Sequence, residues 1–203
     1  PIMNGITMCK MLKEDVRTSH IPIILLTAKD SLQDKEEGYQ VGADSYLTKP
    51  FSATLLHSRI NNLLESRKRL AERLNTNTPH HNMDEKRALL ADSLNKLDNE
   101  FLEKINRLIE DRLSSEKIDI GYLADNMCMS KSTLYRKMKA LTGLSTNEYV
   151  RKIKMQYAER LLLEGRYNVS EIAFRVGINS VVYFRQCFKE EFGVLPSDYL
   201  KQP

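Results

Sequence analysis

The sequence contains few cysteines and no long apolar segment. Its three cysteines, Cys9, Cys128 and Cys187, lie far apart and form no Cys-x-x-Cys pair. An odd number with this spacing argues against a disulfide framework and against a zinc site of the usual spacing. Each cysteine falls in an apolar helical pattern, so we expect three buried free thiols in a reducing cytosol.

The sequence also lacks a run of about 18 apolar residues and a basic-then-apolar secretory leader, so it predicts neither a membrane-spanning helix nor a signal peptide. The chain starts at Pro1 rather than Met, which leads us to expect a fragment or a processed chain. Hydrophobic residues make up 41% and charged residues 29% of 203 residues. These values are ordinary for a soluble globular protein of one large or two small domains.

The formal net charge of +4 is distributed unevenly. Residues 98–126 carry 4 basic and 8 acidic side chains, whereas residues 130–160 carry 8 and 2, and residues 166–189 carry 4 and 1. Two basic segments behind an acidic one favour a surface that binds a polyanion. A solvated helix surface remains the alternative, because charge alone does not distinguish the two.

Residues 1–74 alternate between helix and strand patterns. The apolar run at 21–26 and the segment 44–48 read as buried parallel strands, with helices at 7–13, 31–41 and from about 55 to 74. Ser31 is a plausible N-cap with Asp34 at the capping-box position. The order of strand, helix, strand and helix predicts an α/β fold.

Residues 75–97 are polar and contain Pro79, so they read as a linker, in which His80 and His81 are a solvated pair rather than metal ligands. From residue 98 the chain reads as all-helical. We expect helices at 120–127, 131–141, 147–164, 170–176 and 181–192, and a final turn from Pro196.

An internal repeat lies within this helical part. Leu123, Ala124 and Met127 match Ile172, Ala173 and Val176 at an offset of 49, after which residues 134–149 match residues 184–199 at an offset of 50. Each copy is a short helix, a tight turn and a longer cationic helix, the pattern of a helix-turn-helix that places its second helix in a DNA major groove. The long helix between them would span about 27 Å. Successive major-groove segments on one face of DNA lie about 34 Å apart, so a rigid helix of this length could set both recognition helices on one face of the duplex.

Residues 98–203 resemble the DNA-binding domain of the AraC-type transcription regulators. The first recognition helix is similar at residues 130–139, and the second-copy signature is similar at 176–180, 183–184 and 188–193. The sequence departs from that pattern at Cys128, where Gly is common, at Leu195, and at Val181 and Val182, where polar residues often face bases.

The front part resembles the second half of a receiver domain, at residues 3–5, 21–28 and 42–51. The resemblance implies that Thr27 contacts a phosphoryl group, that Lys49 pairs with the phosphoaspartate, that Tyr46 is the aromatic switch and that Lys49-Pro50 is a cis peptide. The phosphoacceptor Asp and the acidic magnesium pair would precede Pro1, so magnesium is expected for a complete receiver and no cofactor is expected in this chain. No Gly-rich ATP site follows His57, so this chain is not expected to be a kinase.

The combination resembles the C-terminal end of a hybrid two-component regulator, with an ordinary response regulator as the close alternative. It implies a cytoplasmic, sequence-specific DNA-binding transcription regulator at the output end of a phosphorelay. The resemblance also implies that the full-length parent protein is anchored in the inner membrane and carries histidine kinase activity. Expected partners are double-stranded DNA, an upstream kinase or receiver and a second copy of the chain, with no small-molecule substrate.

Two other functions stay open at this point. One is a phosphoryl-accepting module whose basic helices bind an acidic protein. The other is a receiver that catalyses its own phosphorylation and dephosphorylation. For DNA binding, the expected residues lie on the two recognition helices and in the second turn: Lys131, Ser132, Thr133, Tyr135, Arg136, Lys139, Asn179, Ser180, Val182, Arg185, Gln186 and Lys189. We expect Leu134 and Phe184, by contrast, to be core residues.

Overall fold

The computed structural model describes residues 3–28, 31–75, 95–114 and 118–199. The chain divides into two compact units. The first contains the described residues up to 75 together with 95–101 and 140–143, and the second contains the rest. The predicted linker pair His80 and His81 lies outside the described residues.

The first unit is built from strands and helices in alternation. Its elements are α1 (Gly5–Glu14), β1 (Ile24–Thr27), α2 (Leu32–Gln40), β2 (Ser45–Thr48) and α3 (Ala53–Asn75). β1 and β2 pair in parallel, with Ile24 opposite Ser45 and Thr27 opposite Thr48. This arrangement confirms the predicted α/β fold with a parallel sheet.

Both strands begin later than the apolar pattern predicts. The first strand was expected from residue 21, but β1 begins at Ile24. Pro22 has no N–H to donate to a ladder, and the Ile23 N–H donates instead to the Asp44 carboxylate at 2.8 Å. Asp44 therefore links the N-terminal ends of the two strands through its side chain and is not itself part of β2, which begins at Ser45.

Helix α3 is the longest helix of the first unit. Its 23 residues end at Asn75, close to the predicted end near Leu74. The cis peptide bond between Lys49 and Pro50 is present, as the resemblance implied. The helix expected at 31–41 is observed as α2 (Leu32–Gln40). The side chain of Asp34, and with it the predicted capping box, lies outside the described part of the chain.

A buried polar cluster in the first unit was not foreseen from the sequence. Asp98, in the first turn of α4 (Lys96–Glu110), is fully buried and accepts a hydrogen bond from the Ser19 hydroxyl at 2.7 Å. Asn95 donates to the other carboxylate oxygen at 2.9 Å and to the Ser19 carbonyl at 3.2 Å. Because a buried carboxylate must be hydrogen-bonded, these contacts fix the first turn of α4 within this unit.

The second unit is helical in all its described parts. After the later residues of α4 come α5 (Ile120–Asn126), α6 (Lys131–Thr142), α7 (Thr146–Glu164), α8 (Val169–Arg175), α9 (Val181–Phe192) and α10 (Pro196–Tyr199). The observed ends agree with the predicted helices to within one residue. Together with the sheet of the first unit, they confirm the predicted fold class.

The hydrophobic core around α8 and α9 is centred on α7. Met155, Ala158, Leu161 and Leu162 of α7 are buried against the inner faces of α8 and α9. Four aromatic rings, those of Phe184, Phe188, Phe192 and Tyr199, pack together in this core. The ring centroids of Phe188 and Phe192 lie 4.5 Å apart, and those of Phe188 and Tyr199 lie 5.5 Å apart.

Leu134 and Phe184 are core residues, as predicted. Each is 0% exposed, and each occupies the same place in its repeat, on the inner face of a recognition helix. Met138 and Phe188 repeat the pattern one turn later and are equally buried. The repeat seen in the sequence therefore includes the positions that pack each recognition helix onto the unit.

Cys128 contradicts the expectation of three buried thiols. Cys9 and Cys187 are buried, but Cys128 is exposed. It lies in the turn between α5 and α6 with φ +52°, and Gly177 holds the matching position of the second copy with φ +64°. The side chain of Cys128 lies on the surface of this turn, although its neighbours Met127 and Met129 are buried.

Phe184→Ala is expected to lower the free energy of unfolding of the second unit by about 3–5 kcal/mol, because it leaves a cavity in a closely packed core. Val182→Ala, on the exposed face of the same helix, is the control, with a change of about 0.5 kcal/mol or less. Urea unfolding followed by circular dichroism measures both. Equal stability of the two variants would contradict the assignment of Phe184 to the core.

Candidate nucleic-acid interface

The two turns that precede the recognition helices have the same hydrogen bonds. Met129 N–H donates to the Ala124 carbonyl at 3.0 Å, and Ile178 N–H donates to the Ala173 carbonyl at 2.9 Å. Both ends of each pair are buried. Two helix-turn-helix motifs of matching backbone geometry are therefore present, which is the arrangement that the sequence repeat predicted.

Each recognition helix begins at a serine. Ser130 accepts from the Thr133 N–H at 3.1 Å, and Ser180 accepts from the Tyr183 N–H at 3.2 Å. Serine at this position satisfies an N–H group that the helix leaves without an intrahelical partner. The predicted contact residue Ser180 thus also caps α9, while Asn179 lies just before it and is exposed.

The predicted contact residues of α6 share one outward face. Lys131, Ser132, Tyr135, Arg136 and Lys139 are exposed, and Thr133 is partly exposed. The Arg136 Nε donates to the Ser132 carbonyl at 3.4 Å, so the side chain runs back along its own helix. Tyr135 and Lys131 also line a surface cavity next to the start of α7, at Ser145 and Asn147.

The predicted contact residues of α9 are likewise exposed. Val182 has 77% of its surface accessible, the largest value among the exposed large apolar side chains of the described chain. Arg185, Gln186 and Lys189 are exposed on the same helix. An apolar side chain this exposed is suited to contact a thymine methyl group.

The two recognition helices differ strongly in charge. α6 contains four basic residues and no acidic one, of which Lys137 is buried. α9 contains Arg185 and Lys189 but also Glu190 and Glu191, so its formal charge is zero. Because contacts to phosphate depend on cations, the first motif has the greater attraction for a polyanion.

Helix α7 holds the second motif through charged contacts as well as apolar ones. Lys152, which is buried, lies 3.6 Å from the Glu191 carboxylate of α9. Lys154, also buried, donates to the Gly177 carbonyl in the second turn at 3.3 Å. These two lysines fix α9 and the turn before it against α7, so they position the second recognition helix without facing solvent.

The start of α7 is fixed by a capping box. Ser145 accepts from the Glu148 N–H at 3.3 Å, and the Glu148 carboxylate accepts from the Ser145 N–H at 2.7 Å. The hydrogen bond from the Ser145 N–H to the carboxylate is the main cause that lowers the pKa of Glu148. A well-capped helix of 19 residues, about 28 Å long, is a stiff connection between the two motifs.

Sequence reasoning missed Arg151 and Glu190. Arg151, on α7, lies 3.7 Å from the Glu190 carboxylate of α9, and both side chains are about half exposed. Tyr183 also interacts with Arg151. A hydrogen bond with the Cys187 thiol raises the pKa of Tyr183, and the hydrogen bond with Arg151 opposes this rise. The signal in the sequence was the acidic pair 190–191 in an otherwise basic segment.

Two of the three predicted phosphorylation-switch residues lie together in the first unit. Thr27 ends β1, Lys49 follows β2, and the Lys49 N–H donates to the Thr27 carbonyl at 2.6 Å. Lys49 is exposed at this carboxyl edge of the sheet. Tyr46 is buried inside β2, with its ring against Gly38 of α2.

Within the described residues, no group of three His, Cys, Asp or Glu side chains is arranged to hold a metal ion. A search of the same residues found no helix that is both long and apolar enough to span a membrane.

Family models match both parts of the chain. The model of the response regulator receiver domain matches residues 1–61, and a model described as a helix-turn-helix domain matches residues 123–202. The two matches do not overlap, and the second includes both helix-turn-helix motifs described above.

Several curated proteins and solved structures are similar to the chain. Histidine kinase P4 of Formosa agariphila is 36% identical over 98% of this chain, which spans 14% of that protein's length. The DNA-binding dual master transcriptional regulator RpaA of Synechocystis is 42% identical over 36% of the chain, spanning 30% of that protein. The C-terminal domain of AraT, a response regulator from Geobacillus stearothermophilus, is 30% identical, with a TM-score of 0.46, over 50% of this chain and 84% of that one.

Tyr149→Phe is expected to flatten the loss of stability at high pH. Burial raises the pKa of Tyr149 to about 12, and its hydroxyl donates a hydrogen bond to the Asn106 side-chain oxygen at 2.9 Å. A phenol whose pKa is higher in the folded state stabilises the fold below about pH 10, and this contribution is lost as the pH rises towards 12.

Urea unfolding at pH 8 to 11.5 measures this effect, with Tyr122→Phe as a control on a partly exposed tyrosine of the same unit. If the free energies of unfolding of the parent chain and of Tyr149→Phe fall equally as the pH rises, ionisation of the Tyr149 phenol does not affect the stability of the fold.

Proposed function

Because this chain joins a segment of a response-regulator receiver domain to an AraC-type helix-turn-helix domain, we propose that it is the output end of a two-component phosphorelay, which binds double-stranded DNA in a sequence-specific manner and regulates transcription. The observation that carries the proposal is the pair of helix-turn-helix motifs, each with an exposed recognition face, on one stiff helix. This arrangement suits two major-groove segments of one duplex better than the surface of a globular protein.

Affinity would come mainly from phosphate contacts of the cationic side chains. We assign this role to Lys131 and Lys139 of α6 and Lys189 of α9, together with the Thr133 hydroxyl. Their exposure, partial for Thr133, supports the assignment. Such contacts release counterions from DNA, so binding would weaken steeply as the salt concentration rises. They fix the register of the protein on the duplex without reading its sequence.

Base readout would come from the remaining exposed side chains of the same helices. Arg136 and Arg185 can bind guanine through two hydrogen bonds, Gln186 can bind an adenine edge, and Val182 can pack on a thymine methyl group. Ser132 and Tyr135 of the first motif, and Asn179 and Ser180 before the second recognition helix, complete the proposed contact set. The first motif supplies most of the positive charge, and we expect it to carry more of the sequence specificity than the second.

The receiver segment would couple this binding to phosphorylation. Thr27 and Lys49, adjacent at the carboxyl edge of the sheet, would contact the phosphoryl group and its aspartate, and Tyr46 would report the switch. Magnesium, expected for a complete receiver, would bind through acidic groups.

Further parts of the proposal concern the longer protein. Since the chain spans only 14% and 30% of its first two curated relatives, kinase activity and a membrane anchor are proposed for a longer parent alone. An upstream kinase or receiver, and a second copy of the chain, are the proposed protein partners. The cytoplasm is the compartment in which this chain would meet DNA.

A mobility-shift titration of the whole chain on a random-sequence duplex tests DNA binding, with salt varied from 50 to 200 mM. We expect binding at low salt that weakens by at least about tenfold over this range, as expected when several phosphates are contacted. Lys131→Ala combined with Lys139→Ala should reduce the salt dependence. Absence of binding at 50 mM, with binding to an acidic protein instead, would favour the protein-interaction alternative.

Arg136→Ala is expected to relax specificity at one base position, at a cost of about 1–3 kcal/mol for the preferred sequence. Lys189→Ala should weaken binding to all sequences by a similar factor, because it removes a phosphate contact. Selection of binding sites from random duplex, followed by sequencing, distinguishes the two effects. A greater loss of specificity from Gln186→Ala than from Arg136→Ala would contradict the proposed dominance of the first motif.

A further inference from the structure

Glu190 connects the second recognition helix to the helix that carries it. One carboxylate oxygen accepts a hydrogen bond from the Gln186 amide nitrogen at 3.1 Å, and the other lies 3.7 Å from the Arg151 guanidinium. Glu190 and Gln186 are exposed on α9, one helical turn apart, and Arg151 comes from α7. Glu190 therefore links a proposed base-reading side chain to the connecting helix.

The chemistry of this contact fixes the orientation of the Gln186 amide. An ionised carboxylate only accepts hydrogen bonds, whereas a glutamine amide has a donating and an accepting end. The NH₂ group of Gln186 must therefore face Glu190, and the amide oxygen is the end that is turned away. Arg151 holds the other carboxylate oxygen from α7, at 3.7 Å, so the carboxylate is contacted from both helices.

The first helix-turn-helix motif has no equivalent contact. At the repeat offset of 50, Arg136 stands in the place of Gln186, and Ala140 stands in the place of Glu190. Arg136 contacts the Ser132 carbonyl of its own helix instead, at 3.4 Å. The arrangement is therefore a property of the second motif and not of the repeat.

We infer that Glu190 and Arg151 are positioning residues that set the base preference of the second helix-turn-helix motif, by presenting the amide oxygen of Gln186 to the bases. This inference rests on the proposed DNA-binding function. In the major groove an oxygen acceptor matches the amino groups of adenine and cytosine, whereas guanine and thymine present carbonyl oxygens there. We therefore expect adenine or cytosine at the base that Gln186 contacts.

Binding-site selection from random duplex with the whole chain tests the inference. Gln186→Ala identifies the base position that depends on Gln186. At that position, Glu190→Gln should lower the ratio of adenine plus cytosine to guanine plus thymine by about twofold, the scale of a hydrogen bond between side chains four residues apart on a helix. Arg151→Ala should change the ratio in the same direction, while the positions read by the first motif stay unchanged.

Glu164→Gln is the matched control, since it removes one exposed carboxylate from the far end of α7. It should leave the base ratio as in the parent chain. Glu190→Gln has nearly the size of the natural side chain, and circular dichroism verifies that each variant retains its helices.

The possible results separate the two claims. If Gln186→Ala abolishes a base preference that Glu190→Gln and Arg151→Ala leave intact, the inference is wrong and the proposed function stands. If Glu190→Gln weakens the preference at all positions alike, Glu190 has a general structural role and the inference is also wrong. If the parent chain selects no sequence at all, sequence-specific binding itself fails, and the inference fails with it.

Discussion

Burial of one side of α7 is the interaction on which the second motif depends. Met155, Ala158, Leu161 and Leu162 supply the apolar part of this contact with α8 and α9. Two buried lysines, Lys152 and Lys154, supply the polar part, and because a buried cation is costly without its partner, each restricts how the facing helix can lie. The apolar contacts give stability, while the lysines select one orientation of α9 on its supporting helix.

The outward face of each recognition helix follows from this packing. Once Leu134 and Met138, or Phe184 and Phe188, are buried, the helical period leaves the remaining side chains directed away from the core. The two motifs then use the same backbone with different side chains. The first presents cations without acidic neighbours, and the second presents an exposed valine and a glutamine paired with an acid. This difference is consistent with the proposal that the first motif dominates the binding of DNA.

The sequence predicted the structure correctly where a periodic hydrophobic pattern was long and bounded by capping residues. The helices of the second unit, the parallel sheet, the core residues Leu134 and Phe184 and the exposure of the proposed contact residues all followed from spacing and turn chemistry. It failed where a single long-range contact decided the outcome. The start of β1 depends on a side chain 21 residues away, Asp44, and the burial of Asp98 depends on Ser19, 79 residues away. Cys128 was misjudged because its apolar neighbours Met127 and Met129 are buried, while its own side chain, in the turn between α5 and α6, is exposed.

The central claim is that both helix-turn-helix motifs lie on one face of a single duplex. Hydroxyl-radical footprinting of the whole chain on a selected DNA site tests it most directly, since the method reports each contacted sugar along both strands. We expect two protected segments, on the same face, centred about 10 base pairs apart, which is one turn of the double helix. A single protected segment of about 5 base pairs, unchanged when Arg185 and Gln186 are both replaced by alanine, would show that the second motif does not reach the DNA and would contradict the account.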